Sequence, residues 1–97
     1  MIPGNRRGEL TFAIRGPIAR ADLPGLSTRV CGLLERSNTA VAFCDVSGIA
    51  ADAVSVDALA RLQLAARRHD CRIRLQRTSA ELRDLLTFMG LEDVLPD

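Results

Sequence analysis

The chain has 97 residues, 47% of them apolar, with 12 acidic and 13 basic side chains and a net charge of +1. That length fits one domain with a single core and leaves no room for an elaborate catalytic pocket beside it. A charge so near zero excludes general electrostatic attraction to nucleic acid or an anionic membrane, and no apolar run approaches the ~18 residues of a transmembrane helix.

Residues 1–8 read as a flexible lead-in punctuated by Pro3, Gly4 and Gly8. Arg6 and Arg7 are not followed by an apolar segment, so no signal peptide is expected and the cytoplasm is the expected compartment. Residues 9–15 alternate, with Leu10, Phe12 and Ile14 on one side, which predicts a half-buried strand ended by Gly16-Pro17. A helix is expected over 18–37, with Asp22 as its cap and Asn38 as its stop. Pro24 is tolerated in its first turn, and Leu26, Val30, Leu33 and Leu34 form its apolar stripe.

Residues 41–44 form a short apolar run of the kind buried on both faces of a sheet, within a strand expected over 39–45. A loop of small residues follows over 45–53, then a helix over 54–68 with Ala58, Leu59, Leu62 and Ala65 at helical spacing. Residues 71–77 alternate again, Cys71, Ile73 and Leu75 against Arg72, Arg74 and Arg77, as in an edge strand with one solvated face. Thr78 and Glu81 have the spacing of a capping box. The helix they open carries Leu82, Leu85, Leu86 and Met89, and Gly90 followed by Leu91 is its left-handed stop.

Little here suggests chemistry. His69 stands alone at a helix end, and there is no nucleophile elbow, phosphate-binding glycine loop or metal-ligand spacing. Cys31, Cys44 and Cys71 lack a Cys-x-x-Cys spacing, and the latter two lie in apolar runs where a thiol acts as a small hydrophobe. No enzyme activity, cofactor or metal is expected. The arginines at 67, 68, 72, 74 and 77 read either as a patch for phosphate or an acidic partner or as a solvated sheet face. A loop between a strand and the next helix sits at the strand's C-terminal end, where α/β proteins place function. The candidate residues there are Asp45, Ser47, Asp52, Ser55 and Asp57. Asp45 ends the strand, Asp52 caps the helix, and Asp57 pairs with Arg61 one turn on.

Several segments, in order, resemble a known family. They are Ile14-Arg-Gly-Pro-Ile18, the strand end Cys44-Asp-Val-Ser-Gly-Ile49, the Ala-rich helix, Ile73-Arg-Leu75, and Ser79-Ala-Glu-Leu-Arg-Asp-Leu-Leu86 before Gly90-Leu91. Together, over about residues 8–96, they resemble the STAS domain of bacterial anti-sigma factor antagonists and of the cytoplasmic tails of sulfate transporters. The resemblance implies a regulatory role in which an anti-sigma serine kinase binds the domain and phosphorylates a Ser at the start of the helix after the loop. This sequence departs from the family there. Where the family has Asp-Ser-(Ser/Thr)-Gly, it reads Ala53-Val-Ser-Val56, leaving Ser55 as the neighbouring candidate phosphoacceptor. The family's first strand is short or missing before Glu9.

The expectation is therefore an α/β fold with a small mixed sheet, helices mainly on one side and order β-α-β-α-β-α, in one domain over 9–97. Its expected function is binding a protein partner, an anti-sigma factor or serine kinase by the resemblance, through the loop and helix start. Exposed Ser55 and Asp57 would be part of that surface. Two alternatives stand beside it: a module for a nucleotide or anionic lipid head group, and a self-associating, homodimeric scaffold subunit. No nucleic acid and no membrane insertion are expected.

Overall fold

A computed structural model describes residues 9–37 and 39–96. The lead-in over 1–8 and the helix stop at Asn38 lie outside them. Strand β1 is Glu9–Arg15, β2 is Val41–Gly48 and β3 is Arg72–Gln76; helix α1 is Leu23–Ser37, α2 is Ala53–Arg68 and α3 is Ala80–Phe88. The order is β-α-β-α-β-α, in an α/β fold whose described strands form one parallel sheet ordered β1-β2-β3. Parallel neighbours need crossovers, and α1 and α2 provide them.

Burial on alternate residues shows which face the helices cover. Ala42, Cys44 and Val46 of β2 are 0%, 0% and 1% exposed, and Ile73 and Leu75 of β3 are 1% and 2%. Val30 and Leu34 of α1, Leu59 and Leu62 of α2, and Leu82 and Leu86 of α3 join them in one core. Each fully buried Leu there contributes about 1.5–3 kcal/mol relative to exposure. Among the described residues no helix lies over the opposite face, and Val41 and Phe43 are half-buried rather than enclosed, unlike the strand expected to be buried on both faces. No helix among the described residues is long and apolar enough to cross a membrane.

Three helix boundaries differ from expectation. Asp22 does not cap α1; it closes a 3-10 turn at Arg20–Asp22, where its carboxylate accepts from the Ala19 amide at 2.9 Å. The cap of α3 is Ser79, whose hydroxyl accepts from the Leu82 amide at 3.1 Å. Thr78, one residue too early for this, has a buried hydroxyl with no hydrogen-bond partner among the described residues. Met89 is 46% exposed because the helix ends at Phe88 and the chain turns away. Gly90 takes φ +73° as the stop, with its amide donating to Thr87 and that of Leu91 to Leu86, a Schellman ending.

The outer edge of β3 is closed by a side chain. Gln63 of α2 is 3% exposed; its Oε1 accepts from the Ile73 amide at 2.8 Å. Its Nε2 donates to the Ile73 and Val94 carbonyls at 2.9 and 2.7 Å. The next outward amide, Leu75, donates to the Pro96 carbonyl at 2.8 Å. The outward-facing amides of this edge strand thus find partners inside the fold.

Candidate functional site

The segment joining β2 to α2 lies at the C-terminal ends of the parallel strands, as expected from the sequence. Its entrance is anchored where Gly16 donates to the Gly48 carbonyl at 2.9 Å. A Cβ on Gly48 would stand 3.3 Å from Arg15 Cγ, so the small residue lets β1 and β2 end side by side. Ile49, 8% exposed, then turns into the core and pins the loop from below.

Asp45 and Ser47 form one unit. The Asp45 carboxylate accepts from the Ser47 amide at 2.9 Å and its hydroxyl at 2.7 Å, the local turn that Asp favours. Arg77 stands 3.8 Å from the same carboxylate. These Ser47 donors, then the positive fields of Arg77 and Arg15, hold the Asp45 carboxyl below its ordinary range. Arg77 reaches it from a left-handed backbone, φ +58°, which costs a non-glycine residue about 1–2 kcal/mol.

Asp52 is the N-cap of α2, as expected: its carboxylate accepts from the Ser55 amide at 2.8 Å. Donation from Ser55 lowers its pKa. Asp57 pairs with Arg61 at 3.0 Å, as the four-residue spacing predicted, and also with Arg20 at 3.2 Å. The Arg61 hydrogen bond and charge, followed by Arg20, lower the Asp57 pKa. All three carboxylates are thus anionic at neutral pH and oriented by donors from named neighbours.

Ser55 is where the expected surface fails. It is 2% exposed, facing the core side of α2 with Val56 rather than the solvent side with Asp57. The residue in the family's acceptor register, Val54, is half-buried and has no hydroxyl. A phosphate would bring about 1.5–2 negative charges to whichever atom it joined, and the buried side of a helix cannot solvate them. The strand runs on to Gly48, so Asp45 and Ser47 lie at the end of β2 rather than in the expected loop. Asp52 and Asp57 lie at the start of α2, and Ser55 is withdrawn from the exposed surface.

Arg77 beside Asp45 belongs to the arginine cluster noted in the sequence, whereas Arg20 beside Asp57 and Arg15 near Asp45 were not expected there. Arg20 lies 37 positions from Asp57, and no local pattern links them. For Arg15 and Arg77 a partial signal existed: both end segments read as strands, and the observed order β1-β2-β3 brings those ends beside β2. None of the candidate residues lines the groove of about 1140 Å³ between β1 and α1 or the smaller cavities of about 190 and 470 Å³. Among the described residues no cluster of three His, Cys, Asp or Glu could hold a metal. No protein-family model matches this chain, and no curated protein matches it.

Proposed function

We propose that this chain is a regulatory module that binds a protein partner in the cytoplasm through the loop after β2 and the first turns of α2. The observation that carries this reading is the trio Asp45, Asp52 and Asp57, each held ionised and aimed by neighbouring donors. Groups fixed in advance lose little freedom on binding, so more of their interaction energy appears as affinity. None of the three carboxylates lines one of the described cavities, which favours a protein partner over a nucleotide or lipid head group. The resemblance to STAS domains agrees with this role and names the partner class, an anti-sigma factor of the serine-kinase type. The reading needs no phosphate on Ser55. Recognition by shape and charge takes the place of a covalent switch, and no catalytic step is required of the chain.

The test compares the wild-type chain with Asp57→Arg, which reverses the charge and breaks contacts to Arg20 and Arg61. Each is immobilised, exposed to lysate of the native host, and the recovered protein is then titrated in purified form. The expected result is a stoichiometric partner whose affinity for Asp57→Arg falls about tenfold or more, with the variant still folded by circular dichroism. Unchanged affinity would put the interface elsewhere. A stoichiometric small molecule released from the native protein would overturn the protein-binding reading.

A further inference from the structure

The uncovered face of the sheet meets the loop site only at its upper end, through Asp45, Arg15 and Arg77. Its rows run Glu9–Val41–Arg72, Thr11–Phe43–Arg74 and Ala13–Asp45–Gln76. At its centre Val41 and Phe43 are half-buried apolar side chains with no helix of the described residues above them. Arg72, Arg74 and Arg77 border it along β3, and Arg15 stands at its upper corner. Among these side chains Asp45 is already held by Ser47 and Arg77, and arginine predominates along the β3 side of the face.

The complementary surface is on α3. With Leu82 and Leu86 buried, Glu81, Asp84 and Phe88 fall on the outer side, three and four residues apart and therefore on one stripe. Phe88 is 88% exposed, more than any other large apolar residue described, and Met89 beside it is 46% exposed. Neither Glu81 nor Asp84 lies within ion-pair distance of a described cation. The stripe is acidic with an aromatic end; the sheet face is apolar at its centre with a basic border.

We propose that the α3 stripe of one copy docks on the uncovered sheet face of a second copy. Spacing supports the match. With Asp84 over Arg74, Phe88 lies about 6 Å further along the helix axis, close to the ~4.8 Å step from β3 to β2 where Phe43 sits. Glu81 then falls on the outer, arginine-bearing side. Since α3 packs on the covered side of the sheet, its stripe and the uncovered face point away from each other, and one molecule cannot satisfy both. The contact joins unlike surfaces, so each docked copy leaves a free stripe and a free face, and the assembly grows as a chain instead of closing as a symmetric dimer. It uses neither Asp52 nor Asp57, so its failure and that of the loop reading are separable.

Sedimentation velocity over a wide concentration range tests the proposal on the whole chain. The wild type is expected to grow beyond dimer in low salt and to dissociate at ~1 M salt, where the screening length is ~3 Å. The Arg72→Glu/Arg74→Glu pair and the Glu81→Arg/Asp84→Arg pair are each expected to weaken association about tenfold or more. An equimolar mixture of the two should associate again, because each then offers the other a matched stripe and face. Phe88→Ser, at a site too exposed to affect folding, should weaken association as well, and serves if a charge variant does not fold. A wild type that stays monomeric in low salt, growth that stops at a dimer, or a mixture that does not associate would overturn the proposal. So would a labelled single-stranded RNA that binds the monomer and is released by the Arg72→Glu/Arg74→Glu change.

Discussion

Replacing Gln63 with Leu tests the closure of the β3 edge directly. Leu nearly matches the volume of Gln but can neither donate nor accept, so the Ile73 amide, the Ile73 carbonyl and the Val94 carbonyl lose a partner together. A buried polar group left unpaired costs about 1–3 kcal/mol. The Val94 contact is only partly buried, and water can replace it. Allowing for that, and for the apolar gain of Leu, the expected loss is about 3–5 kcal/mol. In a domain of this size that lowers the melting midpoint by roughly 15–30 °C. Thermal melts read the total, and amide exchange at Ile73 reads the local effect, which should change from slow to fast. Gln63→Glu separates hydrogen bonding from packing: an ionised carboxylate would face two carbonyls, so the variant should regain stability relative to wild type as pH falls and the group protonates. A Gln63→Leu midpoint within about 5 °C of wild type would refute the view that this amide closes the edge.

Three further outcomes follow from burial and charge. Burial, with a smaller effect from Asp45, pushes the Cys44 thiol up to about 12, and Cys71 is buried as well. In a titration with a thiol reagent the native protein should therefore release one equivalent quickly, from half-buried Cys31, and the other two only on unfolding. Asp45, Asp52 and Asp57 all have lowered pKa values in the fold. Their contribution is complete above the unfolded carboxylate range near 4 and is lost as pH falls through their lower folded values, so denaturant midpoints should decline from about pH 4 downward, not between 5 and 8. At Ser55, 2% exposed, Ala should leave a folded protein while Asp should severely destabilise it by burying an unpaired charge. A Ser55→Asp chain that melts like wild type would restore that residue to the exposed surface.

The sequence was most legible where one periodicity acted alone. The alternation of residues 9–15 gave β1 to the residue, and helical spacing gave α2 to within one residue of its start at Ala53. Gly90 announced the end of α3 because only a left-handed residue serves there, and the Asp57–Arg61 pair needed only its four-residue spacing. What was lost depended on the third dimension. The apolar run of β2 could not show that helices gather on one face, so Val41 and Phe43 looked enclosed. Ser55 looked like a solvated first-turn residue, yet it precedes Val56 on the arc of α2 that meets the core. Gln63 did leave a trace: a polar residue within the stripe of Leu59, Leu62 and Ala66, whose burial demanded partners that no local pattern named. Asp52 as a cap and Asp57 as the partner of Arg61 were local enough to read, but the approach of Arg15, Arg20 and Arg77 depends on strand order and long-range contact.

Closure of β3 by Gln63 and Pro96 also limits how this protein can misassemble. Endless cross-strand stacking needs every molecule to offer two open borders, one to receive a neighbour and one to be received. Here the β3 border already has its Ile73 and Leu75 amides occupied from within the same chain. A stray strand arriving at the sheet can join only along β1, the other outer strand of the described sheet, and two molecules joined there would present closed borders on both sides. Edge-to-edge strand pairing in this fold thereby stops at two molecules, because a glutamine from a helix and a carbonyl from the C-terminal segment together occupy the second border.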